Sequence, residues 1–76
     1  MSDVSRYRVY VEPLAQRLGG GFVGYAPDLA GCIGDGDTPQ EALAATYDAI
    51  SCWLEGAEEA GLPIPMPATM QVLQAG

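Results

Sequence analysis

The longest regular pattern of apolar and polar positions runs from Thr38 to Gly61. At helical spacing, Leu43, Thr46, Tyr47, Ile50, Trp53, Leu54 and Ala57 share one stripe, flanked by Ala42, Ala49 and Ala60. Glu41, Asp48, Ser51, Glu55, Glu58 and Glu59 lie opposite. Both ends of this helix are written into the chain. Thr38 and Glu41 have the spacing of a capping box, and Pro39 takes the first helical position, where its missing N–H costs nothing. Gly61 suits the left-handed residue just past the last turn, and Pro63 and Pro65 forbid continuation. A helix from Pro39 to Ala60 is roughly 33 Å long, about the width of a small domain. Its apolar stripe requires a sheet to lie against.

The preceding residues supply one. From Arg6 to Glu12 the chain alternates, with Tyr7, Val9 and Val11 on one face and Arg8, Tyr10 and Glu12 on the other. Pro13 closes this first strand. Leu14 to Leu18 and the run Gly19-Gly20-Gly21 then lead into a second strand, Phe22 to Ala26, predicting a hairpin with a wide turn. Pro27 to Gly31 is a turn cluster. Cys32 to Gly36 is a third strand, with Cys32, Gly34 and Gly36 on one face and Ile33 and Asp35 on the other. Glycines at alternate positions leave one face bare, so the helix or another backbone can come close. After Gly61, Leu62 to Pro67 is extended, and Thr69 to Leu73 is predicted as a fourth, edge strand. The expected architecture is α+β in the order β-β-β-α-β, with one long helix packed on a small antiparallel sheet.

Composition narrows the classes. The chain has 76 residues and reads as a single domain, 1–76, near the lower limit for a self-sufficient core. Self-association is expected, since it buries further apolar surface and covers sheet edges. The net charge of −7, ten acids against three arginines, opposes nucleic acid and anionic membrane as direct partners. The acidic helix face has no Lys or Arg, and Glu55 precedes Glu58 and Glu59 at three and four residues, a spacing at which like charges disfavour a helix. Two readings stand: a solvated acidic face, or a docking face for a basic partner. No apolar run reaches a membrane span, and the N-terminus lacks the pattern of a secretory signal, so a cytoplasmic protein is expected. Cys32 and Cys52 are read as reduced, buried thiols.

Candidate chemistry is sparse. Without His or Lys there is no imidazole metal ligand, no His-based general base and no Schiff base. The triple glycine enters a strand with no Lys after it, so it fits neither phosphate-binding fingerprint. Asp28, Asp35 and Asp37 form the one carboxylate group that a divalent cation would use, as in a metal-dependent hydrolase, but Asp28 and Asp37 also suit turn and cap chemistry. No catalytic residue, cofactor or metal is assigned.

The run from Tyr25 to Ala42, YAPDLAGCIGDGDTPQEA, resembles the signature of HicB-like antitoxins. In that family a tyrosine strand, a P-D-L-P-G-C turn and a G-D-T-x-x-E-A helix start follow in this order. The matching positions here are Tyr25, Pro27, Asp28, Gly31, Cys32, Gly36, Asp37, Thr38 and Glu41, with Trp53 further on; Ala30 stands where the family often has Pro. The resemblance covers about Tyr7 to Pro67. It implies a partial ribonuclease-H-like domain that oligomerises, as dimer or tetramer, and masks a small basic RNA-cleaving toxin, HicA. The fold name brings no nuclease activity with it, because the first strand lacks the carboxylate that ribonuclease H needs. Many members carry a further DNA-binding segment, and none is expected in this chain. Candidate partner contacts are Asp48, Glu55 and Glu59 on the helix, with Asp28 and Asp35 as a second patch. The alternative is an orphan oligomeric interaction module without a toxin.

Overall fold

A computed structural model describes residues 4–66. Three strands, β1 (Tyr10–Pro13), β2 (Phe22–Tyr25) and β3 (Ile33–Gly36), precede one helix, α1 (Pro39–Ala60). Short 3-10 turns occupy Val4–Arg6 and Gln16–Leu18. The sheet is antiparallel with order β1-β2-β3, and the helix covers one of its faces. The α+β class and the β-β-β-α order are as the periodicity predicts. The expected strand from Thr69 to Leu73 lies outside the described residues.

Both helix ends form as the sequence indicates. The Glu41 N–H donates to Thr38 Oγ1 at 3.1 Å, and Glu41 Oε1 accepts from the Thr38 N–H at 3.1 Å and the Asp37 N–H at 3.0 Å. Gly61 is left-handed, φ 70°, and its N–H bonds the carbonyls of Ala57 and Glu58.

The first strand starts later than its alternation suggests. Val4–Arg6 turns, with the Tyr7 N–H donating to the Val4 carbonyl at 3.2 Å. The ladder begins only at Tyr10, opposite Tyr25, because the chain turns at Pro27, which has no N–H to extend the pairing. Burial still alternates through the unpaired part: Tyr7 is buried, Arg8 exposed and Val9 half-buried. At the other end, Gly19, Gly20 and Gly21 all have positive φ, 114°, 71° and 73°. Three successive left-handed residues suit glycine alone, which accounts for the run.

Beneath the helix the sheet is nearly bare. A Cβ on Gly34 would lie 2.6 Å from the backbone of Ala45 and Thr46, and one on Gly36 would lie 2.6 Å from the Ala42 N. A Cβ on Gly24 would collide with Thr46 Oγ1. The helix therefore approaches closest at its N-terminal half, through Ala42, Ala45 and Thr46. Thr46 is fully buried and its hydroxyl donates to the Ala42 carbonyl at 2.7 Å, so no polar atom is stranded. This geometry rotates the helix from its expected setting. Ala42, Thr46, Ile50, Leu54 and Ala57 are buried, Leu43 is only half-buried, and Ala60 is exposed.

Towards the C-terminal half the gap widens and larger side chains fill it. Tyr7, Ala26, Leu29, Cys32, Ile50 and Leu54 form the core cluster, with Val9, Tyr47, Trp53 and Ile64 packed against it. Each large aliphatic buried here contributes about 1.5–3 kcal/mol of transfer free energy. Two polar ties pin the rim of this core: Tyr7 Oη donates to the Pro65 carbonyl at 2.6 Å, and Trp53 Nε1 to the Ala30 carbonyl at 3.0 Å.

Candidate functional site

Two acidic surfaces emerge, one on each side of the molecule. The first is the outer face of α1. Asp48, Glu55, Glu58 and Glu59 are all exposed there, and no basic residue occupies the last turn, where the helix macrodipole favours a cation. This face carries no large exposed apolar side chain; among the described residues these are Tyr10, Leu18, Ile33, Leu62 and Met66, none of them on the helix.

The second surface is the side of the sheet turned away from the helix. Because Gly24, Gly34 and Gly36 point at α1, their neighbours Val23, Tyr25, Ile33 and Asp35 point outward, as do Tyr10 and Glu12 on β1. Register places these side chains in two cross-strand rows. Tyr10, Tyr25 and Ile33 stand side by side in one, and Glu12, Val23 and Asp35 in the other. The rings of Tyr10 and Tyr25 are 5.6 Å apart at 60°, within the range of a favourable tilted aromatic pair. Tyr10 is 47% exposed and Ile33 63%.

Asp28 and Asp35 do not share one patch. Asp28 accepts from Arg8 Nη2 at 3.2 Å, and its side chain is only 14% exposed. Asp35 is exposed in the row with Glu12. Asp37 stands before the helix, its N–H bonded to Glu41. The three aspartates proposed for a cation are thus spread over a turn, a strand and a cap. Among the described residues no three His, Cys, Asp or Glu side chains come together as a metal site would require.

Pro27, Gly31 and Cys32 of the family pattern lie in or beside one tight turn. The turn after Pro27 is held by the Leu29 N–H on the Ala26 carbonyl and the Cys32 N–H on the Leu29 carbonyl, both at 3.1 Å, and Gly31 is left-handed at φ 74°. This turn drives Leu29 into the core at 1% exposure. Cys32 is buried and its thiol pKa is raised by that burial. Both cysteines are free, but Cys52 is exposed, contrary to the expectation that both are buried. It falls on the margin of the outer helix face, one residue before Trp53, where the sheet does not reach.

The sequence reading missed Tyr10, Val23 and Ile33 as surface features. The available signal was the presence of apolar residues at both parities of the strands, which in a half-solvated antiparallel sheet belong at one. Among the described residues no helix is long and apolar enough to cross a membrane. A family model described as HicB_like antitoxin of bacterial toxin-antitoxin system matches residues 7–76. No curated protein and no solved structure matches the chain.

Proposed function

The chain belongs to the HicB-like antitoxin family, and from that membership we propose that it is a non-enzymatic module that binds and masks a small basic RNA-cleaving toxin of the HicA kind. An antitoxin of a toxin–antitoxin system has a toxin as its partner; the chemistry of that partner is read from this chain's charge. A net charge of −7 leaves the surface strongly acidic, and one of the three arginines, Arg8, is engaged with Asp28. That imbalance is the observation that carries the proposal. It attracts a cationic protein, accelerates encounter and disfavours nucleic acid as the direct ligand. Two acidic patches are the candidates for contact, Asp48, Glu55 and Glu59 on α1 or Asp28 and Asp35 around the sheet. The chain acts in the cytoplasm as a homo-oligomer, dimer or tetramer, joined through sheet edges; β1 and β3 each border only β2 among the described residues.

A search of the adjacent reading frames for a small, basic, His-containing protein, followed by co-expression with it, tests this; the absence of any such frame favours the orphan module. The expected result is that the frame arrests growth alone, that this chain relieves the arrest, and that the two co-purify with affinity falling as salt rises. Continued arrest with no complex overturns the proposal.

A further inference from the structure

The outer side of the sheet carries apolar groups among its acids, Tyr10 and Ile33 exposed and Val23 and Tyr25 half-buried. An antiparallel sheet with one wet face alternates apolar and polar residues, yet Tyr10, Val23, Tyr25 and Ile33 point away from a helix that already covers the other side. Contiguous exposed apolar side chains rimmed by polar ones mark an interaction site. We infer that this face, and not the outer face of α1, is where the basic toxin docks; the inference rests on the function proposed above.

Two observations select the occupant. Tight protein interfaces are anchored by a few aromatic or apolar residues at a desolvated centre, surrounded by polar groups. The sheet face offers such a centre in Tyr10, Tyr25 and Ile33; the helix face has acids without an anchor. Charge then distinguishes a basic partner from a second copy. Glu12 and Asp35 are exposed in one row on either side of Val23, while the nearby cation, Arg8, is bonded to Asp28. Stacking this face on itself would bring uncompensated carboxylates into a buried contact, which is costly.

The same register states what the partner must present. Glu12 and Asp35 lie two strand spacings apart, roughly 10 Å. That is too far for one cation to satisfy both. The matching surface carries an apolar side chain over Val23 with a Lys or Arg on each side, and a hydrophobic strip beside it for the Tyr10-Tyr25-Ile33 row. The acids of α1 contribute long-range attraction, which acts on the association rate more than on the bound state.

The chain's three isoleucines make the test direct: Ile33 on this face, Ile50 in the core and Ile64 at its rim. With δ1-methyl labelling of the full chain, the probe is the basic protein of the neighbouring frame, inactivated at its catalytic histidine. Ile33 is expected to shift on addition while Ile50 stays. Tyr10→Ser with Ile33→Ser, and separately Glu12→Gln with Asp35→Gln, are expected to weaken binding about tenfold or more. Glu55→Lys with Glu59→Lys should slow association while leaving the dissociation rate within about threefold at physiological salt. The Ile50 signal reports that each variant is folded.

An unmoved Ile33 methyl with binding lost in the helix variants overturns the docking face and leaves the proposed function standing. Ile33 contacts that depend on the concentration of the isolated chain would assign the face to a second copy. Contacts from Ile33 to the methyls of Val72 or Leu73 would assign it to the chain's own C-terminal residues. Either result overturns the inference. Failure of the wild-type chain to bind the probe overturns the function and the inference together.

Discussion

The two sides of the small sheet are built by opposite means. Towards α1 the strands present glycine at Gly24, Gly34 and Gly36, and the helix answers with Ala42, Ala45 and Thr46, so backbone meets backbone with almost no side chain between. Away from α1 the same strands present Tyr10 and Ile33, which are exposed, and Val23 and Tyr25, which are half-buried. Interior packing tolerates little change of volume, whereas an exposed face can change freely unless something binds it. Stability is therefore concentrated on the inner side, and any constraint on the outer side points to a partner.

The largest effect expected is on the inner side. Gly34→Ala places a methyl 2.6 Å from the backbone of Ala45 and Thr46, which has no flexible side chain to move aside. The helix must shift, at a cost of about 3 kcal/mol, measurable as a loss of denaturation midpoint without a change in slope. Near-native stability in that variant would break the contrast.

Next comes the rim of the core. Tyr7→Phe removes the donor to the Pro65 carbonyl, made at 2.6 Å, and should cost about 1 kcal/mol in the same measurement. Glu55→Lys should have the opposite sign. It removes like-charge pairs with Glu58 and Glu59 and places a cation towards the C-terminal end of α1, so a gain of about 0.5 kcal/mol at low salt is expected.

On the outer side, Ile33→Ser should alter stability by less than about 0.5 kcal/mol, because Ile33 is 63% exposed, while still impairing partner binding. A stability loss comparable to that of Gly34→Ala would mean that this face is packed in the isolated chain.

The cysteines give the smallest and sharpest comparison. Cys52 should react rapidly with an aromatic disulfide reagent and Cys32 only at the rate of opening. Burial raises the Cys32 pKa, so the unfolded chain loses this proton at lower pH than the folded one. The associated stability is complete below the ordinary thiol range and is lost as pH rises towards the folded value. Cys32→Ala should remove that decline from a thermal melt followed against pH; a decline that persists unchanged places its cause elsewhere.

How much of this was readable in advance follows from the range of the interactions. The helix, from its Thr38–Glu41 box to its Gly61 terminus, was legible residue by residue, because capping and 3.6-residue periodicity depend on near neighbours. Alternation was legible too, and it grouped Cys32, Gly34 and Gly36 on one face, leaving open whether the helix or another backbone approached it; in the fold it is the helix. Less legible was where pairing starts: Arg6 to Val9 alternate as a strand does, yet lack a ladder partner because β2 ends at Tyr25. The acidic residues were identified individually, but not that Asp28 is bonded to Arg8 while Asp35 is grouped with Glu12.

Sequence alone determined the three strands and one helix of the described residues, the helix limits, the acidic balance and the family, since each rests on local chemistry or on a long ordered motif. Tertiary structure decided the rotation of α1, the exposure of Cys52 and the two rows on the outer sheet. Those depend on strand register and on how closely the glycines let the helix approach, distances set between residues far apart in the chain.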